Sequence, residues 1–218
     1  MPVLRPVLSQ PSPEVTPLKL AGLAVSAGCR AIALVDGPEL TSEALDEIRA
    51  LQVAIECLSC PEPLDGDSLS ALLSRAAKLE IPHVLVPAGP AEHAYSQAYD
   101  QLYSLLYHIA PRADQMAVKL LVCAPQTAFL LSPLEVRQLI DALNSPNVGC
   151  CLSFEHCLAH KLSIAHWIEL LNARIFACRI SSASDMAGEV LARWAGLATE
   201  PLCLATEPCV AAELSRVD

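Results

Sequence analysis

The sequence predicts an α/β chain folded as a compact (β/α)8 barrel with short loops, one domain spanning residues 1–218, and three observations carry that reading. Strand-like and helix-like segments alternate eight times. The strand-like segments are apolar throughout instead of alternating, as parallel strands buried on both faces are. No strand runs into a Gly-x-Gly-x-x-Gly phosphate loop, which disfavours the runner-up, a doubly wound open sheet. With 218 residues the chain lies near the bottom of the usual size range for such barrels.

The elements follow in order. "VLRPVL" (3–8) is a weak opening strand. "TPLKLAGLAVSAGC" (16–29) is a helix with Thr16 as N-cap, Pro17 at the first position and Gly28 at the stop. "AIALVDG" (31–37) is a short apolar strand, and "TSEALDEIRAL" (41–51) an amphipathic helix with acids in its first turn. The strand "VAIECL" (53–58) precedes "DSLSALLSRAAKL" (67–79), whose apolar residues at 69, 72, 73, 76 and 79 keep a helical period. "HVLVPAG" (83–89) is a strand, a long helix covers about 91–109, and "AVKLLVC" (117–123) is the next strand. "SPLEVRQLIDAL" (132–143) opens with a capping box, Ser132 as cap and Glu135 three residues on. The strand "VGCCLS" (148–153), the helix "SIAHWIELL" (163–171), the strand "IFACRIS" (175–181) and the helix "SDMAGEVLARWAG" (184–196) continue the beat. "PLCLATE" (201–207) is the last strand and "CVAAELSRV" (209–217) a short closing helix.

Composition narrows the function classes. Hydrophobic residues make up 53% of the chain, enough for one sizeable core, yet no apolar run reaches the roughly 18 residues of a membrane span. The first residues, "MPVLRPVLSQPSPEV", lack the apolar heart of a signal peptide, so the cytosol is the expected compartment. A net charge of −10, with Arg and Lys scattered singly, argues against nucleic acid as a partner. A small phosphorylated ligand needs only one or two local Arg. Ten cysteines in a chain of this size and compartment read as reduced thiols; most lie in apolar strand-like runs as small hydrophobes.

Several segments carry a resemblance. "SPLEVRQLIDALNSPNVGCCLSFEH" resembles the fifth helix and sixth strand of the xylose isomerase-like barrels, the sugar phosphate isomerase/epimerase superfamily, where an apolar strand ends in Asp-x-x-His. "WIELLNARIFACRIS" is similar to that family's next helix and seventh strand, and "AAKLEIPHVLVPAG" to its third helix and fourth strand. The resemblance implies a TIM barrel acting on sugars through a divalent metal at the C-terminal mouth. That metal would be held by Glu, Asp, His and Glu from strands five to eight, polarising a sugar carbonyl while a carboxylate moves a proton. Carried over position by position, this sequence offers Cys123, Ser153, Arg179 and Glu207, with His156 keeping the histidine after strand six. Three of the four family ligands are thus replaced, one by a cation, and neither a metal nor any other cofactor is expected.

The candidate site residues follow. His156, with Glu155 or Glu207, could move protons as acid and base; the alternative is that Glu155 and His156 are solvated loop residues. Arg179, Ser153 and Cys123 are candidate substrate-binding residues, Arg179 as a clamp for a phosphate or carboxylate or as a structural partner of Glu207. His156, Cys157, His160 and His166, with Cys57 and Cys60, have the residue types for zinc or a redox dithiol, but the two segments fall on different sides of a barrel. Tyr95, Tyr99, Tyr103 and Tyr107 recur every four residues on one helix, either packed on the neighbouring helix or facing a second copy in a homodimer. The expected function is that of a non-catalytic relative binding a small sugar or polyol, or a structural one, since short loops leave little material to enclose a substrate. The alternative is a divergent, metal-independent isomerase or epimerase of a sugar or sugar phosphate.

Overall fold

Eight parallel strands close into one ring in chain order, the last paired back to the first. The computed structural model describes residues 5–10, 15–59, 65–88, 94–124, 129–180 and 202–205. The strands are β1 (Arg5–Ser9), β2 (Ala31–Val35), β3 (Ala54–Ser59), β4 (His83–Pro87), β5 (Lys119–Cys123), β6 (Val148–Ser153), β7 (Ile175–Ile180) and β8 (Leu202–Ala205). The helices between them are α1 (Pro17–Ser26), α2 (Ser42–Ala50), α3 (Gly66–Lys78), α4 (Tyr95–Met116), α5 (Pro133–Leu143), α6 (Phe154–Ala159) and α7 (Ile164–Leu171). This is the (β/α)8 TIM barrel that the apolar, alternating segments predict. Among the described residues no helix is long and apolar enough to cross a membrane.

Local chemistry explains most boundaries. The side chains of Thr16, Thr41, Asp65, Ser132, Ser153 and Ser163 each accept an N–H from the first turn of the helix they precede. Gly28, at φ +75, takes the left-handed conformation just past the end of α1, which glycine adopts without a Cβ penalty.

Two differences from the expected boundaries have tertiary causes. The fourth helix, expected to stop near residue 109, continues through Pro111 to Met116. An internal proline costs about 3 kcal/mol of helix stability. Burial of Ala110 and Ala113 opposes that cost, as do hydrogen bonds from Arg112 to the Ser70 and Ser74 hydroxyls of α3. The second difference is α6, six residues placed directly after β6 where the sequence suggested a loop. The expected helices at 184–196 and 209–217, and Glu207 and Cys60, lie outside the described residues.

The barrel has two cores. An outer one fills the space between strands and helices; an inner one, with Val7, Ala33, Cys57, Leu121, Cys151, Ala177 and Leu204, fills the ring itself. Most of these inner side chains are small. At the N-terminal end of the ring Phe176 adds bulk, because a register shift between β6 and β7 pairs Cys150 with Ile175 but Cys151 with Ala177. The extra residue, Phe176, lies so close to Gly149 that a Cβ there would sit 2.5 Å from its ring. Lys119 Nζ is 5.6 Å from the ring centroid, a cation–π contact. On the other side of the ring, a register shift between β2 and β3 skips Glu56. The Glu56 carboxylate is buried and accepts from Arg5 Nη2 at 2.8 Å, and its backbone carbonyl lies 2.9 Å from His83 Nδ1.

Candidate active site at the barrel mouth

The C-terminal ends of the strands gather at one face, where barrels of this kind place their loops and their chemistry. Cys123 ends β5, Ser153 ends β6, and Arg179 is the penultimate residue of β7. Their order around the ring is set by register: Cys123 pairs with Cys151, Ser153 with Arg179, and Arg179 with Leu204. Side chains alternate across a strand. Cys151 and Ala177 belong to the inner core while Leu152 and Cys178 belong to the outer one. Ser153 and Arg179, two residues further on, therefore share the inward face, with Cys123 beside them. Arg179 aims into the mouth, as the expected strand-seven register requires. Its expected partner Glu207 lies outside the described residues.

The thiols at this site differ from the other described ones. Cys123 is held below the ordinary thiol range, first by the neighbouring Cys151 thiol and then by the Arg179 guanidinium; burial and Glu155 oppose this. Cys151 is pushed well above that range, first by its Cys123 neighbour and then by burial. Burial raises Cys29, Cys57, Cys150, Cys157, Cys178 and Cys203, with Cys57 pushed up to about 12. Those six behave as the small hydrophobes their sequence context suggests.

Ser153 has a structural duty. Its hydroxyl donates to Glu155 Oε2 at 2.9 Å and accepts the His156 N–H at 3.2 Å, starting α6. Glu155 and His156 are consequently helical, not solvated loop residues as one reading held. Glu155 is half-buried near the mouth. His156 is only 1% exposed, its ring edge-on to Trp167 of α7 at 5.8 Å and 5.0 Å from His160. The mouth thus brings together Cys123, Ser153, Glu155 and Arg179, while His156 packs between helices. Cys151 is the member that sequence reasoning missed. A signal was available, since period-two counting back from an inward Ser153 makes Cys151 the inward member of "CC".

The tyrosine row on α4 divides by role. Tyr95 donates to Glu135 Oε2 at 2.8 Å, accepts the Leu130 N–H at 3.3 Å and packs on Phe129. Burial, then its bond to Glu135, pushes the Tyr95 hydroxyl up to about 12. Tyr99 and Tyr103 pack against the outer core, and Tyr107 is 56% exposed beside Tyr103.

The profile of the xylose isomerase-like TIM barrel matches residues 65–196. The chain belongs to that family. Solved structures agree at the level of fold. An AP endonuclease, family 2, from Brucella melitensis is 18% identical with TM-score 0.76, over 93% of this chain and 92% of that one. A xylose isomerase domain protein from Alicyclobacillus acidocaldarius is 15% identical with TM-score 0.75, covering 98% and 96%. An L-ribulose 3-epimerase is 15% identical with TM-score 0.77, covering 93% and 81%. No curated protein sequence matches the chain.

Of the described residues at this mouth, Cys123, Ser153 and Arg179 do not suit the divalent metal that the xylose isomerase-like family implies. A guanidinium has no lone pair to offer, a thiol is a soft ligand where Mg²⁺ or Mn²⁺ needs hard oxygen, and the Ser153 hydroxyl is engaged by α6. Among the described residues, no group of three or more His, Cys, Asp or Glu is arranged to hold a metal ion.

Proposed function

We propose that this family member is a non-catalytic barrel that binds a small sugar or polyol at its mouth, without nucleic acid as a partner. The inward guanidinium of Arg179, beside Cys123 where the family would hold a cation, is the observation that carries this reading. A fixed positive charge disfavours a divalent ion there and offers several donors to hydroxyl, phosphate or carboxylate oxygens. Glu155 supplies acceptors of the opposite kind from α6. The solved neighbours whose names include sugar epimerases share the fold, which makes a sugar-like ligand the first class to try.

Two measurements test the proposal. Elemental analysis of purified protein is expected to find no stoichiometric Mg²⁺, Mn²⁺ or Zn²⁺; one equivalent of any of them would overturn it. Titration calorimetry with ketoses, polyols and their phosphates is expected to show saturable binding that Arg179→Met abolishes. The competing reading, a metal-independent isomerase or epimerase with His156 and Glu155 or Glu207 as acid and base, predicts deuterium uptake at the carbon beside the sugar carbonyl in D₂O. The burial of His156 against Trp167 weighs against it, because a proton carrier must reach the substrate. The exposed Tyr107 and its neighbour Tyr103 would support a homodimer through α4, to be read by light scattering.

A further inference from the structure

The chain has three asparagines, and two of them end helices with a positive φ. Asn144, after α5, has φ 47° and ψ 41°, the ordinary left-handed conformation that asparagine tolerates. Asn172, after α7, has φ 47° and ψ −121°, a combination that residues with a Cβ rarely adopt. Its neighbours hold it there. The Asn172 N–H donates to the Ile168 carbonyl and closes α7, while the Asn172 carbonyl accepts the Ile175 N–H at the start of β7. Helix gives way to strand across the single short turn Asn172–Arg174, and Ile175 is fixed in its turn by pairing with Cys150 of β6.

That backbone angle has a chemical meaning. The torsion about Cα–C sets where the next residue's nitrogen lies relative to Cβ. At the tetrahedral Cα of an L-residue, the ψ of −121° at Asn172 eclipses the Ala173 nitrogen with Cβ. A five-membered ring through Cβ, Cγ and that nitrogen then needs only a side-chain rotation, with no backbone movement left to make. At Asn144 the ψ of 41° puts the Ser145 nitrogen nearly opposite Cβ, where no such ring can close. The third asparagine, Asn147, has its side-chain amide bonded to Asp114 Oδ1 at 3.1 Å and is followed by the branched Val148.

We propose that Asn172 is a site of spontaneous modification, cyclising onto the Ala173 nitrogen with loss of ammonia. Both residues are exposed, and the Ala173 methyl hinders its own nitrogen little. The hydrogen bond from Ile175 to the Asn172 carbonyl polarises the same peptide group, which makes the Ala173 N–H more acidic. Hydroxide removes that proton, the nitrogen attacks Cγ, and the side-chain nitrogen leaves as ammonia with a proton from water. One C–N bond forms, one breaks, and the hydroxide is regenerated. Water then opens the succinimide at either carbonyl, giving aspartate or isoaspartate. Either product adds a negative charge at the C-terminal end of α7, and isoaspartate also lengthens the main chain just ahead of Arg174, which holds Asp141. The site lies at the opposite end of β7 from Arg179, so this inference stands apart from ligand binding at the mouth.

The test uses the full-length, unmodified protein, one portion folded and one kept in urea, both incubated in the same warm, mildly alkaline buffer. Tryptic peptides 162–174 and 138–161, which carry Asn172 and the other two asparagines, are followed by mass spectrometry, and isoaspartate is read by its methyltransferase. In the folded protein, peptide 162–174 is expected to gain the acid form, with isoaspartate present, while 138–161 keeps its amides. The reaction at Asn172 is expected to run about tenfold faster folded than in urea, the rate factor that release of a strained backbone of this kind corresponds to. Reaction at Asn172 no faster in the folded protein than in urea would overturn the proposal. So would modification of Asn144 before Asn172 in the folded protein, or an acid product at Asn172 without isoaspartate.

Discussion

The two ends of the barrel handle polar groups differently. At the N-terminal end the described polar groups are paired off: Arg5 and His83 meet the buried Glu56, and Lys119 lies against the Phe176 ring. There the inner face is also locked by shape, since Phe176 occupies the space that a side chain at residue 149 would need. At the mouth a guanidinium, two thiols, a hydroxyl and a carboxylate converge around strands β5 to β7. No packing advantage explains an arginine on the inner face of a strand, because an apolar side chain of similar volume would fill it more cheaply. The contrast sets a lower end matched in charge and locked by shape against an upper end whose inward arginine suits the ligand proposed above.

The contrast can be broken most directly at Gly149. Gly149→Ala is expected to cost roughly 2–3 kcal/mol as an overpacked core position. Urea unfolding measures it, and adding Phe176→Ala should recover part of the loss by vacating the ring. A Gly149→Ala protein as stable as the parent would remove the shape lock. Next in size is Glu56→Gln, which leaves Arg5 without its carboxylate beside a buried site. Because Arg5 is half exposed, about 1–2 kcal/mol is expected, measured in the same unfolding series.

Arg179→Met should change stability by less than about 1 kcal/mol in either direction, since exchanging a partly buried charge for apolar volume is often neutral. Ligand titration, by contrast, should lose its signal. A loss of stability comparable to that of Gly149→Ala would make Arg179 a structural residue and erase the difference between the two ends. The smallest effect is expected on the outer surface. Tyr107→Glu should leave folding unchanged within about 0.5 kcal/mol while shifting any dimer to monomer in light scattering.

Much of the frame was legible in consecutive residues. Thr16 with Pro17, the Ser132–Glu135 box and Gly28 announce helix ends through chemistry that needs only neighbours a few positions away. Pro111 misled for the complementary reason: its local cost is visible in sequence, whereas the bonds from Arg112 to Ser70 and Ser74 that oppose it come from α3. The short helix α6 escaped notice because six residues give too little periodicity to register, although Ser153 is a sound cap for it.

At the mouth the division is similar. Sequence alone determined the eightfold alternation, the residue types at the ends of β5, β6 and β7, and the presence of Arg179 where the family resemblance implied a metal-binding histidine. Only the tertiary structure decided that Cys123 meets Cys151 across the β5–β6 pairing and that His156 is buried against Trp167. The physical reason is range. Caps, turns and periodicity act over three or four residues, but strand register and bulges are set by packing between segments far apart in the chain, and a one-residue shift sends each side chain to the opposite face.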